Sequence, residues 1–125
     1  MNFKGVIIEE SLKSKKLLDN IEIIETRIEK VGKRHKTPWL KKWTLHTVSI
    51  PQNKTGEIAK KISQNLDYEH GTSWYADFNN GEEFFVIYKD RIFKWKKGDR
   101  EGPQQAKDYG ISLGIPEYQV DFPSD

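Results

Sequence analysis

The sequence predicts an α+β protein: a mostly antiparallel sheet of about six strands with two helices, in the order βββα-βββα, packed as a two-layer sandwich. Three observations carry this. Apolar residues alternate with polar ones in six short runs, the period switches to a helical one in two places, and the later runs are separated by turn residues too few for anything but antiparallel connections. A chain of 125 residues fits a single domain spanning 1–125 around one core. With 35% hydrophobic and 32% charged residues it is polar, but 4 Trp, 5 Tyr and 6 Phe supply apolar area that disordered chains lack.

The first strand is expected over Phe3 to Ile8, around Val6, Ile7 and Ile8, and the second over Ile21 to Val31, through Ile21, Ile23, Ile24 and Ile28. The lysine-rich stretch between them, Ser11 to Asn20, reads as a solvated connection. Trp43 to Ile50 gives a third strand with Trp43, Leu45 and Thr47 on one side and Thr44, His46 and Val48 on the other, ended by Pro51. From Asn53 to Leu66 a helix is expected, since Ile58, Ala59, Ile62 and Leu66 share one face, and Gly71 lies in the loop that follows. Trp74 to Phe78, Glu83 to Tyr88 and Arg91 to Trp95 form a meander, turned at Asn79-Asn80-Gly81 and Lys89-Asp90. Gly102-Pro103 starts a second helix that buries Ala106, Tyr109, Gly110 and Leu113, unless Gly110 ends it early; Gly114 and Pro116 stop it. The tail alternates Tyr118, Val120 and Phe122 and is expected to lie on the body, with both helices on one face of the sheet.

No cysteine is present, which excludes disulfides and thiolate metal sites. No apolar stretch is long enough to span a bilayer, and the residues after Met1 do not read as a secretory signal, so the expectation is a cytoplasmic protein without a membrane partner. A net charge of +2 is too small for a general nucleic-acid binder; only the distribution of charge can argue for an anionic partner.

That distribution is uneven. Lys30, Lys33, Arg34, Lys36, Lys41 and Lys42 fall within Lys30 to Trp43 without an acidic residue, together with His35, Trp39 and Trp43. Cations beside aromatic faces suit phosphate contact and base stacking, so Lys33, Arg34, His35, Lys36, Trp39, Lys41, Lys42 and Trp43 are the candidate ligand-binding residues, for a nucleic acid or phosphorylated ligand. The plainer explanation is a solvated loop with both tryptophans folded inward.

The three histidines, His35, His46 and His70, lack metal-site spacing, and neither a metal nor a cofactor is expected. His46, in mid-strand, could serve as an acid or base with Asp77 as its carboxylate partner and Tyr75 beside it. A hydrogen-bonded structural histidine and an edge-strand aspartate explain the same residues without chemistry. The strand Trp74 to Phe78 carries aromatics on both sides, so one side can pack on the core while the other lines a pocket. No nucleophile elbow, phosphate loop or calcium loop is present.

The blocks His35-Lys-Thr-Pro-Trp-Leu40, Trp43-Thr-Leu-His-Thr-Val48, Trp74-Tyr-Ala-Asp-Phe78 and Gly110 to Phe122 resemble a small family of uncharacterised prokaryotic proteins. The resemblance covers nearly the whole chain; it implies a free-standing cytoplasmic domain and no activity or site residue. The leading functional expectation is a non-catalytic binding domain for an anionic partner. A small enzyme using His46 and Asp77 is the first alternative, and an interaction module forming homo-oligomers through a strand edge or aromatic patch is the second.

Overall fold

In the computed structural model, which describes residues 2–32, 37, 40–69 and 73–122, the alternating runs form β1 (Phe3–Ile8), β2 (Glu22–Lys30), β3 (Lys42–Ile50), β4 (Ala76–Asn79), β5 (Glu83–Tyr88) and β6 (Arg91–Lys96). The helical stretches form α1 (Thr55–Asn65) and α2 (Glu101–Ser112). All six strands join one sheet in the order β2-β3-β1-β4-β5-β6, and every neighbouring pair is antiparallel. Turn chemistry sets the meander: Asn80 Oδ1 accepts from the backbone N–H groups of Glu82 and Glu83, and Gly81 and Asp90 take positive φ.

The β1-to-β2 connection is more than a solvated loop. Because β3 lies between these strands, residues 9–21 must cross it, and they do so on the α1 side as two 3-10 turns, Glu9–Ser11 and Lys15–Asn20. Lys13, Lys15 and Lys16 face water, while Leu12, Leu18 and Ile21 are buried in the core. The lysine-rich composition conceals an apolar underside.

The helices sit on opposite faces instead of sharing one. Alternation along β5 shows why: Phe85 and Ile87 pack with Ile58, Ala59 and Ile62 of α1, whereas Phe84, Val86 and Tyr88 pack with Ala106 of α2, Ile115 and Val120. A strand apolar on both sides needs cover on both. Gly110 does not end α2. It lies in the helix because a Cβ there would stand 2.6 Å from the Tyr88 hydroxyl and 2.8 Å from Val120, and the Tyr88 hydroxyl donates to the Ala106 carbonyl at 2.7 Å. The tail returns over the same half of the sheet, burying Ile115 and Val120 and setting Phe122 against Tyr75 and Trp95.

Cover is therefore unequal. The α1 face is roofed by α1 and by residues 9–21. The α2 face is roofed over β5 and β6, and among the described residues no helix covers its β3-β1-β4 portion, with half-buried Leu45, Val6, Ile8 and Asp77.

Candidate functional site

The β3-β1-β4 portion of the α2 face is the floor of a cavity of about 270 Å³. Val6 and Ile8 from β1 and Leu45 from β3 form its apolar base. Its walls are aromatic: Trp43 opens β3, Trp74 and Tyr75 lead into β4, and Tyr118 stands on the tail beside Gln119. Trp43 and Trp74 meet edge to face, with centroids 5.4 Å apart, an arrangement that fixes both rings. Two carboxylates line the same space, Asp77 and Glu29, and among the described lining residues there is no lysine or arginine.

Asp77 is the unusual group. Its strand is interior, since β4 lies between β1 and β5, so the edge-strand explanation does not hold. In register it stands opposite Val6 on one side and Val86 on the other, and no described side chain hydrogen-bonds or ion-pairs with its carboxylate. Burial among apolar neighbours pushes it up to about 6 from an ordinary 3.8, only partly offset by its own backbone N–H. Tyr75 shares the cavity, but its hydroxyl is committed to the Gln119 carbonyl and burial raises it far above the ordinary tyrosine range. The Trp74 to Phe78 strand is indeed two-sided: Ala76 and Phe78 belong to the α1-side core, and Tyr75 and Asp77 line the cavity.

His46 is not in this site. It pairs with Ile7 while Asp77 pairs with Val6, and adjacent residues of β1 point to opposite faces, so the sheet itself separates the imidazole from the carboxylate. The expected His46–Asp77 acid–base pair is thus corrected by one step of strand parity. On the α1 face, His46 Nε2 donates to Glu9 Oε1 at 3.1 Å and Nδ1 pairs with Thr26 Oγ1 at 2.9 Å. Thr44, next on that face, gives its N–H and hydroxyl to the two oxygens of Glu10 at 2.6 and 2.8 Å. Two consecutive acids at the first 3-10 turn thereby fasten the crossover to β3. The charge of Glu9 is favoured by its bond to His46 and by Lys15 at 3.2 Å, and its carboxyl is held below its ordinary value.

Of the basic segment, Lys33, Arg34, His35, Lys36 and Trp39 lie outside the described residues, as does His70. Lys41 and Lys42 are exposed. Trp43 is half-buried, its indole N–H donating to Thr37 Oγ1 at 3.0 Å; its ring is a wall of the cavity and not a free stacking platform. The cavity residues missed from sequence are Val6, Ile8, Glu29, Leu45, Ser73, Tyr118 and Gln119. For Val6, Ile8, Leu45 and Asp77 the alternation of three strands was an available signal; the sheet order that makes them neighbours was not.

No group of three histidine or acidic side chains able to hold a metal occurs among the described residues, and none of their helices is long and apolar enough to cross a membrane. Comparison with family models, curated proteins and solved structures gives no match to this chain. Fold and site together define a small α+β domain with an aromatic, acid-lined cavity on one sheet face. Chemically, the cavity can desolvate an apolar body, offer π-faces to a positive charge and place a carboxylate against it.

Proposed function

We propose that the protein is a non-catalytic binding domain whose cavity takes an organic cation, an amine or quaternary ammonium carried on an apolar or aromatic body. The observation that carries this reading is the Asp77 carboxyl, half-buried at the base of an aromatic-walled cavity and without a cationic partner among the described residues. An unpaired acid in such a place costs stability, and a ligand bearing positive charge would supply what the fold withholds. The rings of Trp43, Tyr75 and Tyr118 add cation–π attraction, worth about 0.5–2 kcal/mol per contact.

Titration with benzyltrimethylammonium, followed through tryptophan fluorescence because Trp43 and Trp74 line the cavity, is the direct test. Saturable binding is expected, with benzoate failing to compete and Asp77→Asn weakening affinity about tenfold, equivalent to about 1.4 kcal/mol. Equal binding of benzoate, or an unchanged affinity in Asp77→Asn, would overturn the reading.

The exposure of Lys41 and Lys42 favours a second reading, an anionic partner such as single-stranded nucleic acid at residues 30–43. Its signature is salt-dependent oligonucleotide binding that disappears when Lys33, Arg34 and Lys36 are neutralised together. Full affinity in that triple variant would exclude it.

A further inference from the structure

The two edges of the sheet are chemically unlike. β6 presents Arg91, Lys94 and Lys96, all exposed, so a second copy laid along it would bring only like charges together. β2 is a nine-residue edge carrying both signs and three exposed isoleucines, Ile23, Ile24 and Ile28, at 40%, 51% and 62% exposure. Beyond the bulge at Ile24, residues Glu25 to Lys30 pair regularly with β3 on one side, and among the described residues no strand pairs with the other side.

We propose that β2 is a homodimer interface, formed by antiparallel pairing with β2 of a second copy about a two-fold axis at Thr26. The sequence of this edge is self-complementary around that residue. Glu25 falls opposite Arg27 of the second copy, and by symmetry Arg27 falls opposite its Glu25. Both side chains lie on the cavity face, as their register with Thr47 and Leu45 requires, so each cross-strand pair is a facing pair of opposite charge. One step further out, Ile28 reaches the bulge residue Ile24, and these are two of the three isoleucines otherwise left in water. Among the described residues of one chain the ion-pair partner of Arg27 is a loose one, Glu29 at 4.0 Å, which leaves its guanidinium available. The result is one continuous sheet across two copies, with β6 at both outer ends.

The pairing is testable by charge exchange. Glu25→Arg and Arg27→Glu each place like charges opposite one another, and both positions are exposed, so circular dichroism and melting should report an intact fold. In analytical ultracentrifugation the wild type is expected at twice 14.7 kDa, and each variant alone as a monomer. An equimolar mixture of the two variants restores opposite charge at both positions and is expected to form a heterodimer. A wild type that stays monomeric at every concentration, single variants that dimerise as well as the wild type, or a mixture that fails to associate would each overturn the proposal.

Discussion

Glu9 and Asp77 are two carboxylates on opposite sides of one sheet, and they have opposite fates. Glu9 has an imidazole and an ammonium group within reach and is held ionised below its ordinary value. Asp77 has apolar neighbours and, among the described residues, no side-chain partner, and it is pushed up to about 6. The first is an acid that serves the fold: it anchors the crossover of residues 9–21 to β3 through His46. The second is an acid the fold tolerates. A buried polar group whose hydrogen bonds are complete explains itself structurally, whereas one desolvated in a cavity without a side-chain partner is a functional-site candidate.

The strongest way to break the contrast is to remove the imidazole. His46→Ala should lower stability by about 2–4 kcal/mol, since it deletes a nearly buried ring and leaves Glu9 and Thr26 without their shared partner. Urea denaturation checks it, and ligand binding on the other face should survive in the folded fraction.

Asp77→Asn should act in the other direction. A folded-state value near 6 against 3.8 in the unfolded chain means the folded protein holds the proton more tightly. The associated stability is complete below pH 3.8 and is lost as pH rises through 6. At neutral pH the wild type therefore bears a cost that asparagine avoids, and the variant should be more stable by about 1–3 kcal/mol. The difference should shrink as pH falls toward 4 and should be reversed in sign by bound cation; thermal melts across that range would show it. Glu9→Gln is the mild counterpart, costing about 1 kcal/mol at neutral pH. Because the Glu9 value is lowered, its contribution is present above an ordinary 4.5 and fades as pH falls through the folded-state value. The two variants should thus give pH–stability differences of opposite slope.

Much of the fold was legible because periodicity is local. β1 and β5 coincide with the expected Phe3–Ile8 and Glu83–Tyr88, and α1 buries the expected Ile58, Ala59 and Ile62. The side assignments on β3 were also readable, with Thr44, His46 and Val48 opposite Trp43, Leu45 and Thr47. What failed depended on sheet order beyond the β4-β5-β6 meander, whose adjacency the short turns already required. The pairing of His46 with Asp77 required the two strands to present one face to each other, and only the intervening β1, whose Val6 and Ile7 point apart, decides that they do not. Likewise Ser11 to Asn20 reads as a solvated connection from its lysines, and only the position of β3 beneath it gives Leu12 and Leu18 a core to join. The placement of helices on two faces was encoded in Phe84 to Tyr88, an unbroken apolar run, but such a run does not say which helix takes which side.

The position of β1 has a kinetic implication. Although first in sequence, it is the seam of the sheet, flanked by β3 on one side and β4 on the other. At Gly5 the seam is so tight that a Cβ would stand 1.9 Å from the Asp77 carbonyl oxygen. Closure must wait until residues near 79 are available to receive a segment near 4, a long loop to close before any reward, so the hairpin β2-β3 and the meander β4-β5-β6 are the units able to organise beforehand. Joining them is also what brings Asp77 beside Val6, which makes completion of the sheet and creation of the cavity a single event.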